Sequence, residues 1–128
     1  MTNETETNVE DSDKNGAAQG MAPAERIRTL NDELRTTGIG GKMFLTRGMW
    51  AMGSDFVAHA VAAVRAFNAF SEDNDPWQEH DCATLEVDGE TVIFKIDYFD
   101  LNMEALSPDP ADPKVTRRVL TIMLADEY

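Results

Sequence analysis

The spacing of apolar residues predicts a first helix near residue 23. Ile27, Leu30 and Leu34 recur on one helical face. Pro23 suits the first turn of such a helix, and Gly38 suits its end.

A longer run, DFVAHAVAAVRAFNAF at residues 55–70, predicts a second helix. We expect Ser54 to cap it, because a serine hydroxyl can accept a hydrogen bond from a free amide of the first turn. The apolar stripe of this helix consists of Phe56, Val57, Ala60, Val61, Val64 and Phe67.

Alternation of apolar and polar residues predicts strands elsewhere. The segment KMFLTR at residues 42–47 shows this alternation, is bounded by a glycine on each side and is typical of a short strand. Asp88-Gly89 separates two alternating runs and predicts a two-residue hairpin turn, because that turn needs positive φ at both central positions. In this register residues 82–87 face residues 90–95, and one face of the hairpin is largely apolar.

The last third of the chain permits two interpretations. Asp112-Pro113 follows a loop with three prolines and is typical of a helix cap and first helical residue. The run VLTIML at residues 119–124 also suits a buried strand. The start signal favours a helix, whose apolar face would hold Val115, Val119, Ile122 and Met123.

Together these elements predict an α+β fold, in which a small antiparallel sheet, made of the short strand and the Asp-Gly hairpin, packs against about three helices.

Composition supports one domain with an acidic tail. The chain has 128 residues, of which 42% are hydrophobic, enough for one packed core. Residues 1–22 are rich in Thr, Asn, Glu and Asp, and we expect a disordered acidic tail there, with residues 23–128 as the single α+β domain.

Cysteine content and hydropathy exclude several classes of protein. Cys82 is the only cysteine, so an internal disulfide and a multi-cysteine zinc site are excluded. No stretch is long and apolar enough to span a bilayer, and the N-terminus lacks a signal-peptide pattern. The cytoplasm is therefore the expected location.

The charge is concentrated in the middle of the chain. The formal net charge is −13, and residues 71–113 hold thirteen acids and one base, Lys95. Such a block opposes direct nucleic-acid binding, which depends on cations at the phosphates, and favours a protein partner with a basic surface. The acids expected to bind that partner are Glu72, Asp73, Asp75, Glu86, Asp88 and Glu90.

Three motifs resemble a known family. KIDYFD at 95–100, DPADP at 109–113 and TRRVLTIMLADEY at 116–128 are similar to a small bacterial family catalogued as a domain of unknown function, found in chromosomes and mobile elements. The resemblance extends from about Arg26 to Tyr128 and implies a compact domain, but no reaction, cofactor or partner. A mobile-element setting suggests an acidic surface that imitates nucleic acid and inhibits a DNA-handling protein.

A second hypothesis concerns the cluster at residues 73–81. Continuing the hairpin register places Asp97 opposite His80, where it could orient the imidazole. His80 would act as base or metal ligand, with Asp75 or Glu79 as a further carboxylate. This pattern suits an acid-base or metal-assisted hydrolase, with no cofactor expected beyond a divalent metal; a simple His80–Asp97 ion pair on the sheet is the structural alternative.

Three further features of the sequence are Cys82, Asp81 and the glycine-rich segment at residues 38–43. Cys82 faces Lys95, which predicts a lowered thiol pKa and allows a cysteine nucleophile beside His80. Asp81 points toward the apolar face and needs a hydrogen-bond donor or an arginine there. GIGGKM at 38–43 lacks the spacing of a phosphate-binding loop and reads as a helix end followed by a turn.

Overall fold

The framework of the protein is a four-stranded mixed sheet that is covered by helices on one face. The computed structural model describes residues 20–128. The predicted tail therefore lies almost entirely outside the described residues. The elements in chain order are α1 (Pro23–Thr37), β1 (Lys42–Leu45), α2 (Arg47–Ala51), α3 (Ser54–Ala66), β2 (Cys82–Val87), β3 (Glu90–Phe99), β4 (Arg117–Leu124) and a short 3-10 turn (Ala125–Glu127). Within residues 20–128 no helix is long and apolar enough to cross a membrane.

The strand order is β1-β4-β3-β2, so β4 and β3 lie in the centre. The predicted hairpin is confirmed in its register, from Val87 opposite Glu90 to Cys82 opposite Lys95. Its turn has the expected left-handed backbone, with φ of 51° at Asp88 and 85° at Gly89.

The predicted C-terminal helix is wrong, because this segment is β4. The strand pairs in parallel with β1 and antiparallel with β3, so the sheet is mixed, although the α+β class is confirmed. A strand between two others is buried on both faces, which explains its nearly continuous apolar sequence. Asp112 forms a turn instead of a helix cap: its carboxylate accepts the Lys114 amide at 2.9 Å.

The helices cover one face of the sheet. α1 runs as predicted, but α3 ends at Ala66, so residues 67–70 of the predicted helix lie beyond it. Ser54 does not cap α3, because the cap residue is Gly53 and Ser54 is the first helical residue. At the other end of α3, the buried Arg35 of α1 donates to the carbonyls of Val64 at 3.0 Å and Phe67 at 2.7 Å. These bonds satisfy carbonyls that a helix end leaves unpaired. The core consists of Leu34, Met49, Phe56, Ala60, Val64, Ala83, Val87, Val92, Phe94, Ile96, Leu120 and Ile122.

The C-terminus is tied to the short helix α2, which the sequence did not predict. Glu127 accepts the Thr46 hydroxyl at 2.6 Å and the Gly48 amide at 2.9 Å. The Thr46 hydroxyl in turn caps α2 by accepting the Met49 amide at 3.3 Å. The hydrogen bond from Thr46, followed by that from the Leu124 amide, lowers the pKa of the Glu127 carboxyl.

The hairpin tip is held to α3 by an exposed ion pair. His59 Nδ1 lies 2.6 Å from Asp88 Oδ2, and because a carboxylate can only accept, the imidazole nitrogen donates. The hydrogen bond and charge of Asp88 raise the pKa of His59 above its ordinary value of 6.5.

This ion pair predicts a pH-dependent contribution to stability. A raised folded-state pKa stabilises the fold fully below pH 6.5, and the contribution is lost as the pH rises through the folded-state pKa. The melting temperature of wild type should therefore exceed that of His59→Ala most at acidic pH, and the margin should shrink at alkaline pH. Asp88→Asn should behave like His59→Ala. A margin independent of pH would contradict this assignment.

Candidate functional site

His80 lies on the helix side of the sheet, between two carboxylates. Its Nδ1 is 2.8 Å from Asp32 Oδ1 on α1, and its Nε2 is 3.6 Å from Asp75 Oδ2. The Phe70 ring stacks on the imidazole, with ring centroids 3.8 Å apart and an interplanar angle of 5°. The prediction that Asp97 lies opposite His80 is wrong. The carboxylate that contacts the His80 Nδ1 is that of Asp32.

The backbone of the loop before β2 explains this difference. Gln78 and His80 have φ of 58° and 55°, so the chain leaves the extended conformation before the ladder can reach His80. The buried Asp75 carboxylate stabilises the loop by accepting the amides of Glu79 at 3.2 Å and His80 at 3.1 Å. Strained residues clustered beside a histidine are typical of functional sites.

Asp97 lies on the opposite face of the sheet. Its carboxylate is 2.5 Å from the Lys95 ammonium, two residues earlier on β3. The hairpin register does continue one residue beyond the strand, since the Ile96 amide donates to the Asp81 carbonyl at 2.7 Å. It ends there, and this is why extrapolation to His80 fails.

Glu79 belongs to a buried network behind the site. Asn31 is fully buried; its side-chain amide donates to the Glu79 carbonyl at 2.9 Å and to the Tyr98 hydroxyl at 2.8 Å. The Tyr98 hydroxyl donates to Glu79 Oε1 at 2.8 Å, and Arg118 Nε donates to Asn31 Oδ1 at 2.7 Å. Burial strongly raises the pKa of Tyr98 and lowers the pKa of Arg118, so the network holds a neutral phenol beside a buried guanidinium.

Asp32, a residue of α1, contacts both His80 and Arg35. Arg35 donates to Asp32 Oδ1 at 3.0 Å, and His80 contacts the same oxygen. Because a carboxylate only accepts, the His80 Nδ1 must carry a proton. In the neutral ring, Nε2 is then the basic nitrogen, on the side of Asp75.

A shallow pocket of about 300 Å³ opens beside His80. Arg28 on α1 contributes a guanidinium, which also donates to the Gln78 carbonyl at 2.9 Å. The pocket can hold a small polar group between a cation and an imidazole. Its lining consists of Arg28, Phe70, Ser71, Glu72, Asp75, Gln78 and His80.

Sequence inspection missed Asp32, Arg35, Arg28 and Phe70 as neighbours of His80. A signal was present in α1, because Asn31 lies four residues after Ile27 and three before Leu34, in phase with the buried face. A polar residue in that position needs a buried partner.

The predicted metal ligands are not brought together. Asp75 and His80 are adjacent, whereas Glu79 bonds to Tyr98 and Asp97 lies across the sheet. Over residues 20–128, no group of three or more His, Cys, Asp or Glu side chains is placed to hold a metal ion.

The predicted partner-binding acids lie at the two ends of β2. Glu72 and Asp73 are exposed on the loop that precedes β2, and Glu86, Asp88 and Glu90 are exposed around the hairpin tip. Asp75 is an exception: it is buried and bound to backbone amides, so it cannot be a surface contact.

Cys82 and Asp81 differ from expectation in their electrostatics. Burial, with a smaller contribution from Asp81, raises the pKa of the Cys82 thiol and outweighs the lowering by Lys95, so the predicted net lowering is wrong. Burial also raises the pKa of Asp81. Among the described residues no arginine forms a salt bridge with Asp81.

The fold and site define an α+β domain with a histidine between two carboxylates and with exposed acids on the loop before the edge strand β2 and around its hairpin tip. The chain belongs to DUF3768, a family of proteins of unknown function, whose model matches residues 45–127. The match begins at the last residue of β1, so α1, which supplies Asp32, precedes it. No curated protein and no solved structure matches the chain.

The contrast between Asp75 and Asp73 predicts a difference in stability. Asp75→Ala leaves two amides without their acceptor and should lower the free energy of unfolding by about 1–3 kcal/mol. Asp73→Ala, two residues away and exposed, should change it by less than about 0.5 kcal/mol. Urea unfolding of both variants measures the difference; equal effects would contradict the role given to Asp75.

Proposed function

We propose that this protein is a binding module that captures a protein with a basic surface through the exposed acids at the two ends of β2. We call this surface the acidic edge, and it consists of Glu72, Asp73, Glu86, Asp88 and Glu90. The observation that carries the proposal is the charge of this part of the chain. Residues 71–113 contain a single Lys or Arg, Lys95, and it is bound to Asp97.

The position of β2 supports this proposal. It is an edge strand, and the exposed acids Glu86, Asp88 and Glu90 cluster around its hairpin end. A group of negative charges complements the lysines and arginines with which proteins bind nucleic acid. The protein would then inhibit such a partner by occupying its nucleic-acid site, acting in the cytoplasm and without a cofactor.

An edge strand offers a second source of affinity. Its outward backbone groups can pair with an extended segment of a partner, while flanking acids select a basic one. Electrostatic complementarity of this kind sets the association rate and the choice of partner.

Matched charge reversals test the acidic edge. The probe is a fluorescein-labelled peptide of alternating Lys and Val, and binding is followed by anisotropy. Glu86→Lys/Glu90→Lys should weaken binding by about tenfold or more. Asp88 is left intact, because it holds the hairpin to His59.

The control, Glu33→Lys/Glu104→Lys, changes two exposed acids away from the hairpin tip by the same total charge and should retain most of the binding. Equal losses in both double variants would show a response to net charge alone and refute the proposal. Capture from a cell lysate with the same variants should retain basic, nucleic-acid-binding proteins on wild type and control only.

A second candidate function is acid-base catalysis at His80. The observation that favours it is the Asp32–His80 hydrogen bond of 2.8 Å, which fixes the tautomer and leaves Nε2 as the nitrogen that exchanges a proton. Arg28 in the same pocket could donate a hydrogen bond to a polar group of a substrate. A metal-assisted hydrolase is less well supported, because only Asp75 and His80 of the expected ligands lie together.

Hydrolysis of p-nitrophenyl acetate, p-nitrophenyl phosphate and bis(p-nitrophenyl) phosphate tests this candidate. His80→Gln should reduce any turnover by about a hundredfold or more. Asp97→Asn should leave turnover unchanged, because Asp97 lies on the other face of the sheet. If none of the three compounds shows turnover that depends on His80, this candidate is wrong.

A further inference from the structure

A larger pocket lies away from His80, where the first residues of β1 and β4 meet the turn at residues 38–41. Its volume is about 680 Å³, within the range of about 300–1,000 Å³ that is usual for small-molecule sites. Met43 pairs with Leu120 in the core, so Lys42 and Phe44 point to the face that α1 and α3 leave uncovered. The charged and apolar side chains in its lining include Lys42, Phe44, Met103, Arg117 and Val119.

The pocket is cationic in an acidic protein. Lys42 and Arg117 are exposed, and neither has a carboxylate within 4.0 Å among the described residues. No Asp or Glu lines the pocket. The nearest acid by register is Asp97, opposite Val119, and it is already bound to Lys95.

The strand register sets the spacing of the two cations. Lys42 pairs with Val119, and Arg117 lies two residues earlier on the same face of β4. Their Cα atoms are consequently about 8 Å apart, a separation that two long side chains can close around one carboxylate or phosphate. Gly41 holds β1 this close, because a Cβ there would lie 2.5 Å from the Arg118 carbonyl oxygen.

Apolar side chains complete the pocket. Phe44 is 52% exposed and Met103 is 49% exposed, although both are large hydrophobic residues. They line the pocket together with Val119, so the cations share it with apolar side chains. Such a combination binds the apolar body of a ligand and orients its charged group.

We propose that this pocket binds a small organic anion that carries a carboxylate or a phosphate ester on an apolar or aromatic body. Lys42 and Arg117 hold the charged group, and Phe44 and Met103 contact the body. The proposal is independent of the acidic edge and of His80.

A pair of dyes tests the two parts of the pocket. The anion 8-anilinonaphthalene-1-sulfonate and its uncharged relative N-phenyl-1-naphthylamine share an aromatic body and become fluorescent in apolar sites. Lys42→Gln/Arg117→Gln should weaken binding of the anion by about tenfold or more and change binding of the neutral dye little. Phe44→Thr should weaken both.

Arg47→Gln/Arg65→Gln is the matched control, because it removes two exposed cations that do not line the pocket. Circular dichroism checks that each variant is folded. Phenyl phosphate and benzoate should displace the anionic dye from wild type, and their relative potency shows which charged group is preferred. Displacement by neither, or equal weakening of both dyes by Lys42→Gln/Arg117→Gln, would overturn the proposal.

Discussion

The hydrogen bonds of the buried Asn31 side chain hold α1 against the sheet, and the arrangement of the site depends on them. A buried amide must have all of its hydrogen bonds satisfied within the fold. Asn31 meets this demand with groups from β4, β3 and the loop before β2, namely Arg118, Tyr98 and the Glu79 carbonyl. The position of α1 on the sheet follows from these bonds. Asp32 and Arg35, one and four residues later, are consequently placed against His80 and the end of α3.

The net charge of −13 conceals two surfaces of opposite charge. The acidic edge lies along β2, and the cationic pocket lies beside β1, the strand at the opposite edge of the sheet. Two intervening strands separate β1 from β2 by about 14 Å, so the two surfaces can be occupied at the same time. The buried Arg35 belongs to neither surface, whereas the buried Arg118 also lines the cationic pocket.

Local chemistry explains which elements could be predicted. The Asp88-Gly89 turn and the helix from Pro23 depend on backbone preferences of neighbouring residues, and both were confirmed. Asp112-Pro113 carries an equally local helix signal, yet the chain beyond it is a strand, because Arg117–Leu124 pairs with β1 on one side and β3 on the other. The contact between Asp32 and His80 could not be predicted either, because it also depends on the packing of distant segments. Asp32 lies 48 residues from His80 in the chain, and no pattern in either segment records the contact.

The sequence by itself determined the α+β class, the hairpin with its register, and the concentration of acids between residues 71 and 113. Tertiary structure decided the rest. It made the C-terminal segment a strand, placed Asp32 and not Asp97 beside His80, and buried Asp75. The reason is that helix, turn and charge are properties of contiguous residues. Strand neighbours and the partners of buried polar groups are chosen when distant segments pack, since each buried donor and acceptor must find whichever group the fold brings within reach.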